Sequence, residues 1–202
     1  MQVAAQLTPA DPATVAGAMA WAYTQVTGRA PPSRSSWLMP LAQSAFETAN
    51  WSVLTQNNVG FISQPNKGLP FFFRGSNPVP FAVYPTLGQG CIAMMRWLQK
   101  NGALAGADNN DIGVYIAGLQ SGGYLGNNGD YATYAAGIAS EMSRYANVVP
   151  RPYSDAPPSA LAPLRLTNNQ ALALSLGVVA AAAYAAYKIH PRRTSWPRRR
   201  VA

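Results

Sequence analysis

A chain of 202 residues can bury one core of ordinary size with appendages, and hardly two full domains. Its formal charge of +8 points to an anionic partner, yet from Ser35 to Val148 Lys67, Arg74, Arg96, Lys100 and Arg144 are balanced by Glu47, Asp108, Asp111, Asp130 and Glu141, so the excess belongs to a basic tail. One cysteine, Cys91, and one histidine, His190, exclude an internal disulfide, a multi-histidine zinc site and the hydrolases that set an imidazole beside a serine or cysteine nucleophile, leaving carboxylate chemistry for any hydrolysis.

The N-terminal stretch lacks the basic n-region of a secretory signal and reads as an ordinary helix. Asp11 can cap it, Pro12 suits its first turn, and Gly28 can end it. After the loop RAPPSRSS, Trp37, Leu38, Leu41, Ala42, Ala45, Phe46 and Ala49 recur at helical spacing, and Pro40 is tolerable there only in a first turn. Glu47 lies about 100° round from Phe46, at the border of that apolar stripe, where a side chain can open onto a cleft.

Residues 57 to 86 are rich in Gly, Pro, Asn and Phe and predict a loop or small β excursion. The helical pattern returns in LGQGCIAMMRWLQKNG, with Cys91, Ile92, Met95 and Leu98 as its stripe and Asn101-Gly102 as its stop; Cys91 is simplest as a small buried apolar group. Two further helices are expected at about Asp111 to Gln120 and Tyr131 to Ala146, with Asp108 and Asp111 as caps.

The proline-rich stretch from Val149 marks a linker, 149–170. Residues 171–189 carry no charge before Lys188 and, as a helix, would span about 28 Å against a bilayer core of about 30 Å, so a single transmembrane helix is expected. An Ala-rich helix packed on protein is the alternative. Ala173, Gly177, Ala181 and Ala185 would permit helix pairing in lipid, and hence a homo-oligomer, while the 190–202 tail suits acidic lipid or nucleic acid.

Glycosidic cleavage needs a carboxylic acid kept protonated beside apolar groups, and Glu47 has Phe46 and Trp51 as neighbours. Four segments in order carry a resemblance: QSAFETANWS at 43 to 52, NNVGFI at Asn57 to Ile62, Phe81 to Tyr84 before a helix, and LQSGGYLGNNGDYATYAAGI at 119 to 138. Together they resemble the family 73 glycoside hydrolases, endo-β-N-acetylglucosaminidases that cut peptidoglycan. There an E-S-G-W-G-like segment, an N-N-x-F-G-I-like turn, an F-x-x-Y segment and an L-x-x-x-G-Y-A-T-D-x-x-Y-A-like segment follow one another. Here Thr48-Ala49 stands in place of Ser-Gly, Gly60-Phe61 reverses the Phe-Gly order, and the stretch between Tyr124 and Tyr131 is one residue longer.

The resemblance implies a mainly α, lysozyme-like α+β domain over 1–148 with Glu47 as general acid and no metal or other cofactor. It implies a tyrosine near the cleft, Tyr131 or alternatively Tyr134, and it marks Trp51, Asn58, Phe61, Tyr84, Tyr124 and Tyr134 as candidate substrate contacts. Core packing is the competing use of the tyrosines. Asp130, beside the tyrosine segment, is the candidate second carboxylate for an inverting or retaining route. A single-acid lytic transglycosylase remains open, as does a non-catalytic glycan-binding virion or envelope protein. The expected setting is a membrane-anchored peptidoglycan hydrolase facing the cell wall, either on the bacterial membrane or in the virion of a membrane-containing bacteriophage.

Overall fold

The computed structural model describes residues 1–63, 70–75, 77, 79–125 and 129–155. Within them α1 (Pro12–Thr27) opens on Asp11, whose carboxylate accepts from the Ala13 and Thr14 amides, and closes on Gly28 at φ 72°. The next helix, α2 (Ser35–Glu47), starts earlier than the sequence reading expects, so Pro40 lies inside it and no backbone N–H reaches the Ser36 carbonyl at that step. From Ser35 to Ala45 α2 is buried, because α1, α4 (Ala103–Asp108) and α6 (Tyr131–Arg144) all pack on it.

Two short strands, β1 (Phe71–Phe72) and β2 (Phe81–Ala82), pair antiparallel with Phe72 opposite Phe81. The N-terminus adds to them where Gln2 bridges Phe71, and further on Leu7 bridges Thr55 in the loop after α2. Helix α3 (Leu87–Lys100) buries Cys91, Met94, Met95 and Leu98 against α1, with Ile92 only partly covered, so Met94 takes the place in the stripe that the spacing had given to Ile92. Gly102 at φ 80° then turns the chain into the six-residue α4, which the sequence reading did not foresee, and α5 (Ile112–Ser121) follows, capped by Asp111. Asp108 is not a cap. At the end of α4 it takes the Tyr23 hydroxyl at 2.9 Å and the Arg29 guanidinium at 2.8 Å.

Residues 149–155, the expected start of a linker, lie along α1 and α3. The Arg151 amide donates to the Ala13 carbonyl at 3.0 Å, the Tyr153 hydroxyl accepts from the Gly88 amide at 2.8 Å, and the Tyr153 ring meets Trp21.

The expected fold class is corrected. The mainly helical body with a small β excursion is observed, but no helix among the described residues is long and apolar enough to cross a membrane. Residues 171–189, on which that expectation rested, lie outside the described residues. So does the 190–202 tail, with its expected contacts to lipid, nucleic acid or a second copy.

The end of α2 is where local geometry departs most from the ordinary. The Asn50 amide reaches back to the Ala45 carbonyl at 2.8 Å, the six-to-one bond of a Schellman motif, which puts Ala49 at the left-handed position that usually holds glycine. Ala49, Asn50 and Trp51 all have positive φ, at 48°, 56° and 63°. An L-residue there costs about 1–2 kcal/mol. The turn is held by its neighbours: the Trp51 indole is fully buried and donates from Nε1 to Ser44 Oγ at 2.9 Å, and its amide is accepted by Thr48 Oγ1 at 3.1 Å. Ala49 itself is exposed and loses no packing on substitution. Ala49→Gly is therefore expected to stabilise the fold by about 1 kcal/mol, relief of the left-handed strain exceeding the entropy that glycine adds to the unfolded chain. Urea unfolding measures this, and an unchanged or lowered midpoint would contradict the strained turn.

Candidate functional site

The helix that ends in this turn delivers Glu47 to the wall of a cleft of about 550 Å³, within the range of small-ligand sites. Phe61, Ile62 and Ser63 line it from the loop after α2; Arg74, Asn77, Val79 and Phe81 line it from the β hairpin; Trp97 comes from α3, and Gly122 to Leu125 from the turn after α5. Among the described lining residues Glu47 is the one carboxylate.

Glu47 is held from behind. Tyr134, one turn into α6 and 2% exposed, donates its hydroxyl to Glu47 Oε1 at 2.5 Å. This is possible because α6 lies unusually close to α2: a methyl group at Gly137 would come 2.5 Å from the Phe46 ring, and Phe46 stands edge-on to Tyr134 with centroids 5.4 Å apart. Tyr124 continues the aromatic row. Its ring lies 6.0 Å from Tyr134 and 5.2 Å from Trp97, and its hydroxyl donates to the Gly60 carbonyl at 2.5 Å. One turn before Glu47, buried Gln43 accepts the Tyr115 hydroxyl at 2.5 Å.

This interior shifts the phenols. Burial pushes the ionisation of Tyr134 and Tyr124 well above the ordinary tyrosine value, and the negative charge of Glu47 adds to the shift in both. Burial alone raises Tyr115 well above it, and Tyr84 to about 12. On the hairpin side, the Arg74 guanidinium lies 4.2 Å over the Phe61 ring. Partial burial lowers the pKa of Arg74 and Glu47 opposes that shift.

Of the residues singled out in the sequence, Glu47, Phe61 and Tyr124 line this cleft, and Tyr134 touches Glu47. The others do not line it. Trp51 is sealed in the core at 0% exposure, because it anchors the turn after Glu47. Asn58, also at 0%, spends its amide within the loop, giving Nδ2 to the Ile62 and Ala82 carbonyls and accepting the Ile62 amide on Oδ1. Tyr84 is half-buried outside the lining, beside Asn57, whose amide donates to its carbonyl. Asp130 caps α6, accepting from the Thr133 amide and hydroxyl. Tyr131, the preferred tyrosine of the sequence reading, accepts the Leu125 amide at 3.3 Å, while Tyr134, the alternative, is the one on Glu47; the two lie on neighbouring positions of one side of α6, about one turn apart along it, and the later one is level with the end of α2.

Gln43, Arg74, Trp97 and Tyr115 were not singled out. Gln43 carried a signal, a polar residue four before Glu47 within an apolar stripe, and Arg74 carried another, the lone charge in an aromatic run. Nothing local marks Trp97 or Tyr115.

The raised phenols set the response to alkali. Each binds its proton more tightly in the folded chain than near 10, so the stability it contributes is whole below about pH 10 and is lost as pH climbs through the higher folded value. Most of the phenolate absorbance should therefore appear at higher pH than in the urea-unfolded chain, whose tyrosines titrate near 10, together with loss of helical circular dichroism. A single step near pH 10 with the helices intact would contradict the burial of Tyr115, Tyr124 and Tyr134.

In comparison with known proteins, no family model, no curated protein and no solved structure matches this chain.

Proposed function

We propose that this protein cleaves the β-1,4 glycan backbone of peptidoglycan, with Glu47 as the general acid that protonates the leaving oxygen. The observation that carries the proposal is the placement of Glu47: its carboxyl lines a cleft with aromatic walls, and Oε1 is fixed by a buried hydroxyl. A sugar ring needs such walls, since its apolar faces stack on aromatic rings while its hydroxyls seek polar groups at the edges. Phe61, Phe81, Trp97 and Tyr124 supply the former, and Ser63 and Asn77 the latter. The four ordered segments that resemble family 73 point the same way. Tyr134 has a positioning role, since a hydroxyl that donates to one oxygen limits rotation of the carboxyl and sets the direction of its proton.

Departure of the protonated oxygen leaves an oxocarbenium-like sugar that a nucleophile must capture. Asp130, the candidate for that second group, caps α6 and does not line the cleft. A single carboxylate among the described lining residues favours capture from within the substrate, by the acetamido oxygen of the same sugar or by a sugar hydroxyl, as in a lytic transglycosylase. The two leave different ends: hydrolysis gives a reducing sugar, and attack by the sugar's own hydroxyl gives an anhydro sugar.

Glu47→Gln should lower release of glycan fragments from purified sacculi by about 10²–10⁴-fold with the fold intact by circular dichroism. Undiminished release would end the proposal, and sacculus binding by the wild-type protein without any release would favour a glycan-binding protein. Tyr134→Phe should lower kcat about 10- to 100-fold with KM nearly unchanged, the span expected for a hydrogen bond to a charged group. A rise in KM alone would place Tyr134 in binding instead. Mass spectrometry of the product ends separates hydrolysis from transglycosylation.

A further inference from the structure

Resting on that reading of the cleft, we infer that Arg74 is a subsite for a carboxylate carried on the glycan, so that the site selects an anionic glycan over a neutral one. Arg74 occupies the hairpin wall of the cleft, half-buried, with its guanidinium spread 4.2 Å over Phe61. Phe61 is itself braced edge-on by Phe81 at 5.6 Å, so the cation rests on a fixed aromatic shelf. The ion pairs among the described residues join Arg29, Arg144 and Arg151 to Asp108, Glu141 and Asp11; Arg74 has none. Asn77 and Ser63 line the same side and can serve the remaining oxygens of an anion or the neighbouring hydroxyls of a sugar.

A guanidinium partly withdrawn from water, placed over a ring and without an ion pair among the described residues, offers a planar fork matched to a carboxylate. If the cation served only the fold, the cleft would be an unfavourable place for it. If it served only to steady Glu47, it would act alike on every substrate. Binding a pendant carboxylate differs from both, because the benefit exists only for substrates that bear one. In peptidoglycan that group has two sources, the lactyl carboxylate directly on muramic acid and the carboxylates of a stem peptide.

The test measures binding, so it does not depend on turnover. In the Glu47→Gln protein, calorimetric titration is run with peptide-free glycan strands, with the same strands after reduction of their carboxyls to alcohols, with strands bearing stem peptides, and with chitin oligosaccharides. Carboxyl reduction should weaken binding about 10- to 100-fold, bringing it to the level of chitin. Arg74→Gln added to Glu47→Gln should cause the same loss on carboxylated strands and almost none on reduced ones, and Arg74→Lys should recover only part of it. Tighter binding of peptide-free than of peptide-bearing strands assigns the lactyl group, and the reverse order assigns the stem peptide. Equal affinity for native and reduced strands would overturn the inference and leave the proposed function standing, even where the Arg74 variant fails to fold. Absence of binding to every glycan would overturn both.

Discussion

The contact on which the site depends joins two helix ends across a gap narrowed by a missing side chain: Tyr134 donates to Glu47 because Gly137, three residues further along α6, lets that helix settle against the Phe46 ring on α2. A larger residue at that seam would push the helices apart, and a separation of even one ångström exceeds what a hydrogen bond of 2.5 Å tolerates. Packing and chemistry are thus set by the same few residues. Phe46 serves as the contact surface of the seam and as the edge against which the Tyr134 ring is fixed.

The same demand explains the strained turn that follows. For Glu47 to face the cleft, α2 must stop at that residue and the chain must leave sharply, and three successive left-handed residues accomplish this without a glycine. The compensation is local. Trp51 goes wholly into the core and bonds back to Ser44 on the helix it has just left, so the residue that looked like a sugar-stacking surface is the anchor that holds the acid in place. Tyr145 from the end of α6 closes the arrangement, with its ring 5.2 Å from the indole and its hydroxyl on Asn50. Strain concentrated beside the Glu47 carboxylate, with the opposing contacts distributed around it, is the pattern expected of a preorganised site.

Helix positions were largely legible in the sequence because they rest on periodicity and on cap residues that act locally: Asp11, Gly28 and Asp111 mark ends by hydrogen bonds to amides two or three residues away, or by an allowed positive φ, whereas Asp130, read as a second carboxylate, is a cap of the same kind. The border position of Glu47 was legible for the same reason. What was not legible is what comes from across the chain. Tyr131 and Tyr134 stand on one side of the same helix a turn apart, and only the placement of α6 along α2 decides which reaches the carboxylate. Asp108 and Asp111 look alike in sequence, yet one caps α5 while the other meets Arg29 and Tyr23 from the far end of α1. Pro40 misled because a proline inside a helix removes only one ladder bond, a loss that burial on three sides of α2 outweighs.

The inverted pair Gly60-Phe61 shows how one local exchange alters a cleft. Phe61 adopts φ 43°, a conformation unfavourable for an aromatic residue, and it is held there by a loop that Asn58 ties on both sides and that Tyr124 clamps through the Gly60 carbonyl. A glycine at the strained position would relieve the backbone and leave the cleft without its shelf. With the ring in place, Arg74 has a surface to lie on, and a positive charge is kept in the cleft that also holds the acid. An exchange that departs from the pattern the sequence resembles therefore puts an aromatic ring beneath the guanidinium on the wall of this cleft, 4.2 Å from it.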